Sequence, residues 1–231
     1  MIVGIMQPYF LPYIGYWQLL NAVDIFVVYD NIEYTKKGWI NRNRFLQAGK
    51  DNWFTIPLKK DSDYLTVKQR VISPVFNRKK MLSHFENAYE KSPQFKIIMP
   101  LLEEIIACKD ENLFKYIYNS IIKIKDFLEI KTLLKISSNI NIDYRLKSQD
   151  KVIAICKELG ADRYINPIGG LELYDRKRFS ENGIQLSFLK TRMIHYNQYD
   201  NPFIPFLSII DVLMFVEKER VIKILSEYEL Y

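Results

Sequence analysis

The first thirty residues place two apolar runs on either side of a proline-containing bend and a helical pattern. Residues 2–6 form one apolar run of strand length, and residues 24–29 form a second. Pro8 and Pro12 end the first run, because proline lacks an N–H donor and fixes φ. With a helix expected over 13–23, this order predicts a βαβ unit, whose parallel strands need helices on the faces of the sheet.

The middle of the chain adds a hairpin and a helical block to this pattern. Alternation of apolar and polar residues over 42–48 and 52–58, around Gly49-Lys50-Asp51, predicts a β-hairpin. Residues 65–72 are predicted to join it as a third strand. Apolar residues that recur every three or four positions predict a mainly helical subregion at about 77–130.

A second α/β stretch follows the helical block. The middle helices are expected at 77–91, 94–107 and 110–128, later strands at 133–136, 163–165 and 184–189, and later helices at 147–159, 175–181, 207–215 and 217–228. This order predicts a single α/β domain over 1–231, with an open, mostly parallel sheet, an inserted β-hairpin and a helical middle segment. A hydrophobic content of 48% excludes a disordered chain.

Three features predict a cytoplasmic protein without a membrane span. Cys108 and Cys156 lie in helix-like apolar surroundings, which favours reduced core residues over a disulfide. No stretch approaches the roughly 20 apolar residues that a membrane-spanning helix needs. No basic residue precedes Lys36, so the apolar N-terminus lacks the charged region of a secretory signal.

Positive charge is concentrated in one segment. Residues 36–80 contain 12 Lys and Arg against 3 acids, which leaves the rest of the chain with a net negative charge out of a total of +6. Such a local positive field, with Trp39 and other aromatic residues among the charges, favours an anionic ligand such as a nucleotide. A solvated, lysine-rich surface is the alternative interpretation.

Common catalytic signatures are absent from the sequence. There is no phosphate-binding loop, dinucleotide-binding glycine motif, zinc-protease motif or nucleophile elbow. Because His84 and His195 are the only histidines, the sequence predicts no His-rich metal site, and a cation held by carboxylates stays open as an alternative.

Candidate binding residues follow the first two strands, because ligands of open α/β sheets bind at the carboxyl ends of the strands. Asp30 at the end of the second strand is a candidate general base, or a turn residue. Gly15 is predicted to let a ligand approach the start of the first helix. The basic segment adds arginines that suit a phosphate, if they are not merely solvated. The substrate-binding candidates from these two regions are Gln7, Tyr9, Tyr13, Gly15, Tyr16, Asn31, Lys36, Trp39, Arg42, Asn43 and Arg44.

Further candidates lie later in the chain. His84 borders an apolar helix stripe and is a candidate proton carrier or a boundary residue. Ser208 and Asp211 have capping-box spacing, and Asp211 is also a catalytic candidate. A Gly-Gly turn could present backbone amides to an oxyanion, and a polar loop follows 194. The substrate-binding candidates from these segments are Gly169, Gly170, His195 and Gln198.

Segments along nearly the whole chain resemble one family. The sequences at 7–16, 24–30, 39–44, 84–95, 159–170 and 207–211 are similar to those of the WbqC-like family. Phe215 and Glu217 depart from it, because family members tend to have Asn and Gly there.

The resemblance implies a cytoplasmic enzyme of bacterial O-antigen or other surface-polysaccharide biosynthesis. We expect it to bind a nucleotide-linked amino sugar, or a related activated metabolite, and to transfer a small acyl or aminoacyl group to its amine. Acyl-CoA and ATP are the two candidate donors or cofactors, and a homodimer is a candidate assembly. The alternatives are a nucleotidyltransferase- or ATP-dependent ligase-like enzyme, with Tyr13 and Tyr16 in a degenerate H-x-G-H turn, and a non-catalytic partner in polysaccharide assembly. Nucleic acid is an unlikely ligand, because no known motif accompanies the basic segment.

Overall fold

Eight strands form one six-stranded sheet and a separate hairpin in the computed structural model, which describes residues 1–231. The strands are β1 (Ile2–Met6), β2 (Ile25–Val28), β3 (Arg42–Gln47), β4 (Lys50–Thr55), β5 (Leu133–Ile136), β6 (Arg163–Pro167), β7 (Gln185–Thr191) and β8 (Tyr228–Leu230). The sheet order is β5-β2-β1-β6-β7-β8, and β3 pairs with β4.

Eight α-helices and three short 3₁₀ turns connect these strands. The helices are α1 (Ile14–Asn21), α2 (Arg78–Tyr89), α3 (Phe95–Ile106), α4 (Leu113–Phe127), α5 (Ser148–Glu158), α6 (Arg176–Glu181), α7 (Ile209–Phe215) and α8 (Lys218–Ile224). The 3₁₀ turns are Val67–Gln69, Ser137–Asn139 and Ile168–Gly170. None of the helices combines the length and the apolar composition needed to cross a bilayer.

The mostly parallel sheet predicted from the sequence is confirmed. Strands β5, β2, β1, β6 and β7 are parallel, and only β8 is antiparallel to its neighbour. In the centre, Gly4 lies opposite Phe26 of β2 and Ile165 of β6. The inserted hairpin of β3 and β4 is confirmed as well.

Alternation along the strands divides the apolar core between the two faces of the sheet. Val3 and Val27 point to a smaller core with α5 and α6. Phe26 and Val28 point to a larger core with α1, the hairpin and the helices from α2 to α4. Because both faces are covered, the central strands are apolar on both sides, as parallel sheets require.

The hairpin is joined to the helical block through aromatic rings. Phe45 and Phe54 each pack edge-to-face against Phe85 of α2, with centroids 5.3 and 5.1 Å apart. The hydroxyl of Tyr89 accepts a hydrogen bond from the backbone N–H of Leu46 at 3.0 Å. These contacts fix the hairpin over the larger core.

Two sequence-based expectations for the secondary structure were wrong. Residues 65–72 form a 3₁₀ turn with isolated bridges instead of a third hairpin strand, because Thr66 and Gln69 form a capping box that starts a helical turn. The last helix ends at Ile224, and Tyr228–Leu230 returns as the antiparallel edge strand β8.

Both cysteines are free. Cys156 is a buried residue of α5, and burial raises the pKa of its thiol to about 12. Cys108 is half-buried. The two cysteines therefore form no disulfide, as expected, although only Cys156 lies fully in the core.

Candidate functional site

The carboxyl ends of the parallel strands contain a topological switch point. Strand β1 continues through α1 to β2 on one side, whereas β6 lies on its other side. The connections therefore leave in opposite directions at β1 and β6, which opens a crevice beyond their carboxyl ends. The proline bend after β1 and the 3₁₀ turn after β6 border this crevice.

A cavity of about 430 Å³ lies at this edge. It is lined by Tyr9, Pro12, Tyr13, Trp39, Asn43, Arg44, Ile168, Lys190, Thr191 and Phe206. We call it the aromatic cavity. It brings together residues of the bend, the basic segment, the end of β6 and the end of β7.

Strained backbone and two side-chain donors shape the bend. Leu11 has a φ of 48°, which is rare for a residue with a branched side chain. Its carbonyl accepts hydrogen bonds from Asn43 Nδ2 at 2.9 Å and from Ser208 Oγ at 2.7 Å. The backbone N–H of Phe10 also donates to the carbonyl of Ile40 at 2.9 Å. The bend is thereby fastened to the hairpin and to α7, which is how strain persists at such a site.

Tyrosine hydroxyls in the cavity remain protonated at neutral pH. Burial, together with neighbouring Tyr13, raises the pKa of Tyr9 to about 12, and the Tyr9 hydroxyl donates to Gln7 Oε1 at 3.1 Å. Burial also raises the pKa of Tyr13, although a hydrogen bond with Thr191 opposes the shift. The Tyr13 hydroxyl can therefore donate a hydrogen bond to a ligand, the Tyr9 proton is already donated to Gln7, and both groups are poor bases.

Two stacked tryptophans lie between two arginines, and Trp39 and Arg44 of this stack line the aromatic cavity. Trp39 and Trp53 are stacked at a centroid distance of 5.3 Å, with Arg42 over Trp53 at 4.5 Å and Arg44 beside Trp39 at 5.8 Å. Trp39 is 43% exposed. This exposed aromatic surface suits stacking with a planar ligand group.

The two predicted arginines have different surroundings. Arg44 lines the cavity, pairs with Asp51 at 2.9 Å, and has a buried Nε without a hydrogen-bond partner. Arg42 instead donates its Nε to the carbonyl of Gly38 at 2.9 Å and a terminal nitrogen to Lys37. Arg42 therefore holds the preceding loop, and only Arg44 faces the cavity.

Gly15 lies directly against the side chains of two cavity residues. A Cβ at this position would lie 2.4 Å from Thr191 Oγ1 and 2.5 Å from Tyr13 Cε2. Two cavity residues thus fill the space above Gly15, and the approach of a ligand to this glycine stays a prediction. Tyr16 is buried against Phe26, because its position on α1 faces the sheet. Its hydroxyl has no hydrogen-bond partner.

Asp30 is buried in a hydrogen-bond network at the ends of β2 and β5. It is 2% exposed and accepts hydrogen bonds from Ser137 Oγ at 2.7 Å, from the Ser138 N–H at 2.9 Å and from Ser138 Oγ at 2.6 Å. Asn31 contacts the same Ser137 hydroxyl at 2.8 Å. Asp30 and Asn31 do not line the aromatic cavity. The network joins two strand ends, as a turn-forming carboxylate does.

Asp211 is fully buried between three donors and lies outside the cavity. Its carboxylate accepts hydrogen bonds from Tyr89 at 3.0 Å, Tyr196 at 2.7 Å and Gln198 Nε2 at 2.6 Å. Burial raises the pKa of Asp211, although the three hydrogen bonds oppose the shift. Gln198 also bonds both backbone groups of Ile204, so it fixes a loop from inside the fold.

The predicted capping box at the start of α7 is only half formed. Ser208 Oγ accepts from the N–H of Ile210 at 3.3 Å, as an N-cap should. The Asp211 side chain does not return to the N–H of Ser208, which donates to the carbonyl of Arg44 at 2.9 Å. The carboxylate is instead committed to the tyrosines and the glutamine.

Both histidines are exposed and separate from the aromatic cavity. His84 lies on the outer face of α2, and His195 packs against Phe203 with centroids 4.9 Å apart. Gly169 is open to space, whereas a Cβ on Gly170 would collide with Asn166. These two glycines follow the cavity residue Ile168 but do not line the cavity themselves.

Sequence reasoning missed Lys190, Thr191 and Phe206. Lys190 and Thr191 end β7, so the rule that placed Asp30 at a strand end could have found them once β7 was extended to residue 191. Phe206 has a φ of 58° and packs edge-to-face on Tyr13 with centroids 6.2 Å apart. No sequence signal marked it.

Metal ligands are not clustered in this fold, since no group of three or more His, Cys, Asp or Glu side chains could hold an ion.

Lys36 lies outside the aromatic cavity. It pairs with Asp63 and lines a second cavity.

Comparisons with known proteins agree with the motifs. The chain is 26% identical over 222 residues to the uncharacterized protein Rv1507c of Mycobacterium tuberculosis (strain ATCC 25618 / H37Rv), which covers 94% of each chain. No solved structure shows significant similarity to it. The family model described as the WbqC-like protein family matches residues 7–223. The chain therefore belongs to the WbqC-like protein family.

Proposed function

We propose that the aromatic cavity binds a nucleotide-linked amino sugar, or a related activated metabolite, and that the protein transfers a small acyl or aminoacyl group to its amine. In this proposal the protein works in the cytoplasm, in the biosynthesis of a bacterial surface polysaccharide. The resemblance of the motifs to those of polysaccharide-associated family members suggests that pathway.

The observation that carries the proposal is the set of groups on the cavity wall. Arg44 and Lys190 supply two positive charges, and Trp39 supplies an exposed ring beside them. A guanidinium, an ammonium and an aromatic surface suit a diphosphate joined to a base or a sugar. A volume of about 430 Å³ also lies in the range of small-molecule sites.

The roles of the side chains follow from their positions. Arg44 and Lys190 hold the diphosphate, and Trp39 stacks on the base or sugar. The hydroxyl of Tyr13 donates to the carbonyl oxygen that becomes negative when the amine attacks, while Tyr9, which donates to Gln7 Oε1, lines the same cavity. The new C–N bond forms as the bond to the leaving thiol or phosphate breaks, and the leaving group takes up the proton that the amine gives up.

This assignment replaces Asp30, His84 and Asp211 as proton carriers. Asp30 and Asp211 are buried and already accept three hydrogen bonds each, and His84 lies on an outer helix face. No carboxylate or imidazole is among the lining residues. That observation also favours the second candidate function, a non-catalytic partner that binds the same ligand in polysaccharide assembly.

Calorimetric titration with a panel of nucleotide-linked amino sugars tests the binding step. We expect Arg44→Ala to weaken binding roughly tenfold or more, because a charge-assisted hydrogen bond is lost. Lys190→Ala should weaken it roughly threefold, and the exposed Lys157→Ala is the matched control that leaves it unchanged. Equal affinity in the wild type and in all three variants would show that this cavity does not bind the phosphate groups.

The reaction is tested separately with the wild-type protein. Free thiol released from an acyl-CoA only when the amino sugar is present supports acyl transfer. Pyrophosphate released from ATP or CTP supports the ligase or nucleotidyltransferase alternative. Binding without either product supports the non-catalytic partner.

A further inference from the structure

A second cavity, of about 610 Å³, is lined entirely by residues between positions 34 and 70. It is lined by Tyr34, Lys36, Asn41, Thr55, Pro57, Leu58, Lys59, Lys60, Asp61, Ser62, Asp63 and Arg70. None of these residues lines the aromatic cavity. We call this second space the Arg70 cavity. Four of its side chains are basic and two are acidic.

Arg70 is a buried cation without an anionic partner. Its side chain follows the 3₁₀ turn Val67–Gln69 and is only 4% exposed. Its Nε has no hydrogen-bond partner, and its one hydrogen bond is a long contact of 3.4 Å to the carbonyl of Asp63. Burying a guanidinium in this way is costly unless an anion compensates it.

The surroundings orient Arg70 instead of neutralising it. Its guanidinium lies over the ring of Tyr34 at 4.7 Å, and the Tyr34 hydroxyl donates to Asn41 Oδ1 at 2.8 Å. Asn41 in turn donates to the carbonyl of Ile56 at 2.7 Å. A planar cation held on a fixed ring is ready to form paired hydrogen bonds with an oxyanion.

The two acidic residues of the cavity form no ion pair with Arg70. The carboxylate of Asp63 pairs with Lys36 and is mostly exposed. Asp61 accepts from the N–H of Ser62 at 2.7 Å, in its own turn. Lys59 and Lys60 have no ion-pair partner and add two further charges at the rim.

We propose that the Arg70 cavity is a second anion site, which binds the phosphate group of a small molecule through the Arg70 guanidinium with Lys59 and Lys60 at the rim. The volume exceeds the needs of a free phosphate ion, so the group belongs to a phosphate ester. This site is independent of the ligand proposed for the aromatic cavity.

Titration with inorganic phosphate at constant ionic strength, followed by the ¹⁵N-bound proton resonances of the arginine Nε groups, tests the site. The Arg70 resonance is assigned by its absence in Arg70→Lys. We expect this resonance to shift on titration while that of Arg44 stays in place. Movement of the Arg44 resonance alone would overturn the second site and support the aromatic cavity instead.

Variants test the same site by affinity. Arg70→Lys should weaken phosphate binding roughly tenfold, because the planar donor fork is lost. If that protein does not fold, Lys59→Ala with Lys60→Ala provides the test, with an expected loss of roughly threefold to fivefold. The matched control is the double variant Lys79→Ala with Lys80→Ala, which removes two neighbouring exposed lysines on α2 that do not line the cavity. Asp61→Asn should tighten binding about twofold by removing a competing charge. Unchanged affinity in the Lys59 and Lys60 variant would overturn the proposal.

Discussion

Replacement of Asp211 by alanine removes the only acceptor shared by three side chains inside the larger core. The carboxylate has no exposed surface and receives hydrogen bonds from Tyr89, Tyr196 and Gln198 at 3.0, 2.7 and 2.6 Å. Alanine offers no acceptor to any of them. The cost therefore depends on how far each donor can find another partner.

The three donors differ in that respect. Tyr89 is fully buried, so we assign about 2 kcal/mol to its unsatisfied hydroxyl. Gln198 keeps its hydrogen bond to Ile204, and Tyr196 is half-buried, so each of these two costs about 1 kcal/mol or less. The free energy of unfolding should fall by about 3 to 4 kcal/mol. For a chain of 231 residues that corresponds to a fall in Tm of about 6 to 8 °C.

Urea unfolding and thermal melts of both proteins provide the measurement, with the exposed Asp200→Ala as the matched control. The control should change the free energy of unfolding by less than about 0.5 kcal/mol. A loss below about 1 kcal/mol in Asp211→Ala would refute the reasoning from unsatisfied donors. A stable variant that bound ligand but lost turnover would return Asp211 to a catalytic role.

The pH dependence of stability gives a second test of the same residue. Burial raises the pKa of Asp211 in the folded state, so the folded protein keeps a proton that the unfolded chain releases. Between the ordinary carboxyl pKa and the raised pKa, the contribution of Asp211 to the free energy of unfolding should decrease as pH rises. The difference in stability between wild type and Asp211→Ala should thus be larger below this window than above it.

Two further substitutions separate packing from chemistry. Gly15→Ala should lower the free energy of unfolding by about 1 to 3 kcal/mol, because the new methyl group would collide with Thr191 and Tyr13. The same collision should weaken ligand binding in the aromatic cavity. Thermal melts and calorimetry measure the two effects, and Gly169→Ala is the control because the space around Gly169 is open. His84→Asn should leave Tm and turnover unchanged, because the imidazole is exposed on α2. Loss of turnover at an unchanged Tm would show that His84 carries a proton in the reaction.

Patterns within single segments gave the parts of the fold that depend on local chemistry. The apolar runs at 2–6 and 24–29 became the central strands, and the alternation around Gly49 became the hairpin. Residues 65–72 were misjudged because a capping interaction between Thr66 and Gln69 outweighed the strand pattern. Local hydrogen bonds of this kind compete with strand pairing and are difficult to rank from composition.

The site was only partly accessible to the same reasoning. Tyr9, Tyr13 and Arg44 were named from the bend and the basic segment, and they do line one cavity. Lys190 joins them from a strand far along the chain. Arg42 was named with Arg44 as a phosphate-binding candidate, but its guanidinium donates to the loop carbonyl of Gly38 and does not line the cavity.

The sequence by itself determined most of the segments that become strands and helices, and therefore that the sheet is mostly parallel and covered on both faces. Only the tertiary structure decided which side chains are available to a ligand. Asp211 illustrates the reason, since its donor Tyr89 lies 122 positions away in the chain. Burial and hydrogen-bond saturation depend on such distant partners, and no pattern within one segment reports them.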